Sequence, residues 1–274
     1  MICLVIGRMS DIMIVIDYTD IERGKNTMEL QRLLSYTRKA VDDYSMINSG
    51  AKIAVGISGG KDSLTLLYAL HGLRRFYPNN FEIEAVTVNA GIEGMDFSPI
   101  SRLCDELDVN YTVIDTDIYD IVYNIRRESN PCALCAKLRK GAFNKKAAEL
   151  GCNKIAYAHH KDDVIETFMM SLLLEGRVHT FSPVTYLERS GLTLIRPLIY
   201  VNEADVIGFR NKYNLPVVKN LCPADGETRR EYAKNLIKSL NKDLPGTHDR
   251  IFTAILNGTF DGWDERIAHK HTRT

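Results

Sequence analysis

The sequence predicts an α/β fold: a parallel sheet with helices on both faces. Three observations predict it. Short β-rich runs alternate with helical stretches of ten residues or more, the pattern of a sheet covered on both sides. Ser58, Asn89 and His159 stand at or just past the ends of strand candidates, where open sheets of this kind take their ligands. The chain has 274 residues, enough for one large α/β domain with small additions.

The elements follow in order. Residues 1–27 read as an N-terminal extension, either an added edge strand over Ile12–Ile16 or an unstructured segment, with Met28 as an alternative start. From Met28 a helical period begins, with Leu30, Leu33, Leu34, Tyr36, Ala40 and Val41 near one face. Strand candidates are 52–57, 83–89, 111–114 and 154–158; helix candidates are 62–76, 98–107, 136–150 and 162–175. A hairpin is expected around Ser190-Gly191, followed by a strand over 194–198. A helix is expected from Asn202, whose side chain can cap it. Helices over 227–240 and 249–256 close a main domain of residues 28–257, and 258–274 form a C-terminal tail.

The chemistry is concentrated first in Ser58-Gly59-Gly60-Lys61-Asp62-Ser63, between the apolar run 52–57 and the helical run 64–70. A strand that turns through small residues into a helix is a phosphate site. Glycines let the backbone approach an anion, and the N–H groups and dipole of the new helix face it. Lys61 adds a cation and the two serines add donors. The longer Gly-to-Gly-Lys spacing of a Walker loop is absent. S-G-G-K-D-S is instead the signature of a PP-loop, which holds the pyrophosphate of ATP in adenylating enzymes.

Composition narrows the class. Apolar residues make up 45% and charged residues 26%, as in ordinary soluble proteins. Lys plus Arg and Asp plus Glu both number 35, so a nucleic-acid surface has to come from local clustering. No run is long and apolar enough to cross a membrane. The apolar N-terminus lacks a basic leader and a cleavage site, so a signal peptide is not expected and the expected location is the cytoplasm.

Six cysteines do not suggest a disulfide scaffold, and their spacing points to a metal or redox site in a reducing compartment. Cys132 and Cys135 form a C-x-x-C pair in a turn before a helix, whose N–H groups lower thiol pKa values. Cys222 lies far downstream. A structural zinc site wants four protein ligands, for which histidines would have to complete the set. A cluster on three thiolates leaves one iron open. Cys3, Cys104 and Cys152 read as small apolar residues.

Past the fourth strand, Ala158-His159-His160-Lys161-Asp162-Asp163 opens a helix. Its carboxylates are either caps or, beside the ATP crevice, ligands for Mg²⁺ and groups that position the reacting base. Lys137, Arg139, Lys140, Lys145 and Lys146, and the second stripe Arg229, Arg230, Lys234 and Lys238, are solvated faces or phosphate-contacting surfaces.

Together these residues resemble the tRNA 2-thiocytidine synthetases, a branch of the PP-loop tRNA thiolation enzymes. The resemblance rests on S-G-G-K-D-S at 58–63, C-x-L-C-x-x-L-R-x-G at 132–141, A-x-x-H-H-x-D-D at 156–163, I-R-P-L at 195–198 and N-L-C at 220–222. In order and spacing it covers roughly residues 28–257. It implies an ATP pyrophosphatase fold of the adenine nucleotide alpha hydrolase-like kind, with ATP at Ser58, Gly59, Gly60, Lys61, Asp62 and Ser63. It implies an oxygen-sensitive [4Fe–4S] cluster on Cys132, Cys135 and Cys222. Lys61, Arg139 and Asp162 match the family's basic and acidic catalytic positions. The implied reaction adenylates a tRNA pyrimidine, a cytidine in the anticodon loop, with Mg²⁺, and replaces its oxygen with sulfur. A cysteine desulfurase or free sulfide would supply the sulfur, and a homodimer is one candidate assembly. Lys219 stands where the family often has a second cysteine, and Ala158 where it has glycine. Absence of extra cysteine pairs at the chain ends favours the cytidine branch over the uridine branch. The competing readings are a 2-thiouridine synthetase, a lysidine synthetase, which needs no cluster, and a non-catalytic metal-stabilised RNA-binding module.

Overall fold

A computed structural model describes residues 28–126, 130–222 and 229–258. The strand candidate at Ile12–Ile16, Cys3 and most of the C-terminal tail lie outside the described residues. The elements are α1 (Leu30–Asp43), β1 (Ala51–Gly56), α2 (Lys61–Arg74), β2 (Phe81–Asn89), α3 (Ser98–Glu106), β3 (Asn110–Asp115), α4 (Ile118–Asp120), a π-helical turn (Ile121–Arg126), α5 (Pro131–Glu149), β4 (Lys154–Ala156), α6 (Lys161–Glu175), β5 (Val184–Leu187), β6 (Leu192–Ile195), α7 (Glu203–Lys212), α8 (Arg229–Asp243) and α9 (Thr247–Asn257).

The six strands form one sheet in the order β3-β2-β1-β4-β6-β5. Every pair is parallel except β5 with β6, the hairpin that the sequence placed at Ser190-Gly191. Strand side chains alternate between faces, and the core divides accordingly. Ile53, Val55, Ile83 and Ala85 pack with α1, α2, α3 and α7 on one side. Ala54, Val86, Val88 and Ile155 pack with Phe143 and Ala147 of α5 on the other. Burial on both faces is what a parallel sheet requires, and the α/β expectation is met.

Three local expectations are corrected. α5 begins at Pro131 rather than residue 136, because proline suits the first helical position and Asn130 caps the helix by accepting from the Ala133 amide at 3.2 Å. The C-x-x-C pair therefore sits on the first turns of the helix and not in a turn before it. β6 spans Leu192–Ile195 and stops before Pro197, whose ring has no N–H for the ladder. Asn202 precedes α7 but its side chain makes no cap bond; the free Glu203 amide is taken by Asp162 Oδ2 at 2.6 Å.

Candidate active site at the phosphate loop

The loop between β1 and α2 is held by its own hydroxyls. Ser58 N and Ser58 Oγ both donate to Ser63 Oγ at 3.2 Å, and Ser63 Oγ donates to Gly60 O at 3.0 Å. Gly60 N donates to Ser58 Oγ at 3.3 Å. Gly59 has φ +83°, open to glycine and strained for other residues. A Cβ there would come within 3.1 Å of Val218 Cβ, and Val218 N donates to Gly59 O at 3.0 Å. The segment that leads to Cys222 is thus fastened to the loop. Lys61 Nζ lies 3.0 Å from Asp62 Oδ1 and 3.4 Å from Glu203 Oε1.

Two cavities flank Ser58 beyond the carboxyl ends of the strands. One, of about 380 Å³, is lined by Ser58, Asp62, Ser63, Arg139, Lys140, Tyr157, His159 and Asp163. The other, of about 210 Å³, is lined by Ser58, Gly60, Asn89, Arg139, Val218 and Asn220. Ser58 and Arg139 line both cavities, with His159 in the first and Asn89 in the second, so the three strand ends open onto two adjoining cavities rather than one.

The segment after β4 divides its work. His160 is buried, with Asp62 and Asp163 oxygens 3.6 and 3.5 Å from Nε2 and an Asp162 oxygen 3.7 Å from Nδ1. Asp163 Oδ2 accepts from the His160 amide at 2.9 Å, closing the start of its own helix. Its other oxygen is 2.6 Å from Arg230 Nη1. Asp162 faces a separate cavity of about 420 Å³ that Glu166, Glu203, Lys234 and His248 also line. Burial raises the Asp162 carboxyl, but His248 at 3.1 Å, the Glu203 amide and His160 outweigh it and bring it down to about 2. Burial and Asp163 push Glu166 up to about 7, against Arg230 and Lys234.

His159 is a neutral imidazole. Burial is the main cause that lowers it to about 4, and Arg196 adds to that. Arg196 Nε donates to His159 Nδ1 at 3.2 Å, so the ring proton stands on Nε2. Arg196 is itself buried, bonded to Ser182 O and Thr185 Oγ1 and set over the Phe181 ring.

The three cysteines come from two remote segments of the chain. Cys135 interacts with both Cys132 and Cys222; burial raises its thiol, Arg139 opposes, and the other two thiols reinforce the rise. The expected lowering by the helix start is thus overridden by burial. Cys222 Sγ lies 3.9 Å from Tyr123 Oη, and its amide donates to Asn220 Oδ1 at 3.1 Å. Three soft thiols without carboxylate or imidazole suit an iron–sulfur centre. Among the described residues no three His, Cys, Asp or Glu side chains are grouped closely enough to hold one metal ion. Cys104 and Cys152 are buried, their thiols pushed up to about 12 and about 11 by desolvation, as ordinary core residues.

A parallel sheet whose central strand turns through Ser-Gly-Gly-Lys-Asp-Ser into a helix defines the PP-loop class of nucleotide-binding proteins. The family model of the PP-loop domain matches residues 26–240. The tRNA-cytidine(32) 2-sulfurtransferase of Geobacter sulfurreducens is 35% identical over 235 residues, covering 85% of this chain and 91% of that one. That of Pelobacter propionicus is 36% identical, covering 83% of this chain and 86% of that one. The U34-tRNA thiolase NcsA from Methanococcus maripaludis, solved with its [4Fe–4S] cluster, superposes with a TM-score of 0.67 at 25% identity, over 84% of this chain and 81% of that one. The chain belongs to the PP-loop family, in the branch of the tRNA-cytidine(32) 2-sulfurtransferases.

Sequence reasoning did not find Tyr123, Glu203 or His248 as members of this neighbourhood, and it named Arg230 only within a basic stripe. None sits in a glycine-rich or cysteine-spaced motif. Arg196 was visible only as part of I-R-P-L, without a role.

Proposed function

We propose that this chain is an ATP-dependent tRNA sulfurtransferase that adenylates the 2-oxygen of an anticodon-loop cytidine, position 32 by its relatives, and replaces that oxygen with sulfur. The observation that carries the reading is the meeting of two sites. Arg139, one turn past Cys135 on α5, lines the crevice of the phosphate loop, and the segment that leads to Cys222 is hydrogen-bonded to that loop through Val218.

In the first step the base oxygen attacks the α-phosphorus of ATP and pyrophosphate leaves. The loop amides of Ser58 and Gly60 are held by long bonds to serine hydroxyls. Phosphate oxygens are stronger acceptors and take their place. Lys61 is drawn from Asp62 and Glu203 to the departing pyrophosphate, whose charge it neutralises. Asp62 and Asp163 are the carboxylates that the crevice offers to Mg²⁺. Asp162 is ionised but lines the neighbouring cavity, so its proposed part in the reaction requires it to exchange its contacts with His248 and the Glu203 amide for the reacting base or the metal. In the second step sulfide takes the activated carbon and AMP leaves. Cys132, Cys135 and Cys222 would hold a [4Fe–4S] cluster, which when bound supplies an iron without a protein ligand where sulfide can sit. Exposed Lys137 and Lys140, on the same helix as the thiols, are the proposed contacts to tRNA phosphates. A cysteine desulfurase or free sulfide is the proposed sulfur source, and a homodimer is the assembly that light scattering would test.

The test is a tRNA-dependent assay with anaerobically prepared protein, sulfide and Mg-ATP, followed by mass spectrometry of nucleosides. AMP formation and 2-thiocytidine at position 32 are expected, both abolished in Lys61→Ala with the fold retained by circular dichroism. AMP with 2-thiouridine would reassign the base. Unimpaired thiolation by Lys61→Ala would overturn the assignment of the ATP site.

A further inference from the structure

Tyr123 stands where no motif predicted a functional side chain. Its hydroxyl lies 3.9 Å from Cys222 Sγ. The residue is carried on the π-helical turn Ile121–Arg126, a rare geometry that recurs at functional sites. Its ring is fixed. It stacks on Tyr119 with centroids 4.8 Å apart, and the Tyr119 amide donates to Ala90 O at 2.7 Å, just past β2. Val122, the adjacent residue, is fully buried and anchors the turn in the core.

Between a phenol and a free thiol either group can donate. Once the thiol binds metal it has lost its proton and can only accept. A phenol, with an ordinary pKa near 10, keeps its proton at neutral pH. We infer that Tyr123 is a positioning residue of the thiol centre, donating a hydrogen bond to the Cys222 thiolate and thereby setting the reduction potential of the cluster bound there. This rests on the cluster reading given under the proposed function. A hydrogen bond to a ligating sulfur draws charge from the centre and stabilises its more negative, reduced state, so it raises the potential.

The experiment uses the full chain, loaded anaerobically with iron and sulfide. Tyr123→Phe removes one oxygen and keeps the stack on Tyr119. Iron and sulfide contents are expected to match the wild type. The midpoint potential of the cluster is expected to fall. Any shift of the Fe–S stretching bands on transfer to D₂O in resonance Raman spectra is expected to be lost or reduced. Tyr119→Phe, which perturbs the same stack but leaves the Tyr123 hydroxyl, is expected to keep the wild-type potential. An unchanged potential in Tyr123→Phe overturns the inference, and so does an equal fall in Tyr119→Phe, which would trace the effect to packing. If Tyr123→Phe takes up no iron, the wild type decides: Fe–S bands that ignore D₂O overturn the inference. A wild type that holds no cluster removes the cluster reading and this inference together, whereas a loaded wild type with an indifferent Tyr123 removes this inference alone.

Discussion

His159 shows how a single side chain makes the site sensitive to acid. Its folded pKa of about 4 lies below the ordinary value near 6.5. A group depressed in this way contributes stability that is present above pH 6.5 and is lost as pH falls towards 4. Between pH 7.5 and 5 the wild type should lose about 2 kcal/mol on this account. Denaturant titrations of His159→Gln should show a correspondingly flatter pH profile over that window; parallel profiles would mean that the imidazole is not held neutral. Asp162 supports a second prediction. Asn at position 162 can still accept from the Glu203 amide, so the start of α7 should survive. If the carboxylate acts on the reacting base or on Mg²⁺, Asp162→Asn loses at least ~100-fold in turnover, with a melting point within a few degrees of the wild type. Near-normal turnover would leave Asp162 as the cap of α7 and partner of His248. The residues around it mark the limit of what sequence could disclose. S-G-G-K-D-S was legible because its chemistry and its strand–helix context are local. Glu203 and His248 reach the same neighbourhood from 41 and 86 residues away, and nothing local distinguishes them from ordinary polar surface.

At the scale of elements, the strands and helices were legible where burial imposes a period, and their ends were not. The end of β6 depended on Pro197, and the start of α5 on Asn130 and Pro131. α8 was read only in part, its basic stripe left open as a solvated face or a phosphate-contacting surface. Its stripe of Arg229, Arg230, Lys234 and Lys238 has the composition of a phosphate-binding face. Packing of α8 against α6 instead directs Arg230 to Asp163 and Glu166, and Lys234 to Glu203. A charge run shows its true use only when the opposing element is known. The loop between β1 and α2 supplies the prediction for this scale. Gly59→Ala puts a side chain at φ +83° and 3.1 Å from Val218 Cβ. The left-handed backbone alone costs about 1–2 kcal/mol. The midpoint of thermal unfolding should fall by a few degrees, and KM for ATP should rise as the loop shifts. Unaltered ATP binding in that variant would separate the loop from the nucleotide site.

The three cysteines of the proposed thiol centre come from segments separated in sequence by the β4–α7 half of the sheet. The C-x-x-C pair and the later Cys222 were visible in the sequence, but their approach depends on the strand order, which sequence spacing does not encode. Cys132→Ala, Cys135→Ala and Cys222→Ala should each remove most of the iron and all thiolation while leaving ATP binding in place. Cys104→Ala and Cys152→Ala should do neither, at the usual stability cost of a small core cavity. Iron and zinc analysis across these variants checks the assignment; stoichiometric zinc with full activity in air would refute it.

The bond from the Val218 amide to the Gly59 carbonyl has a thermodynamic consequence for order of assembly. The segment that carries Cys222 is hydrogen-bonded to the loop proposed to bind the triphosphate, so occupancy of one site is expected to influence the other. Linkage requires the effect to be reciprocal: whatever factor ATP adds to retention of iron, iron must add to affinity for ATP. Equilibrium competition for iron between the protein and a chelator should therefore shift towards the protein when ATP is present, and nucleotide Kd should tighten by the same factor on loading.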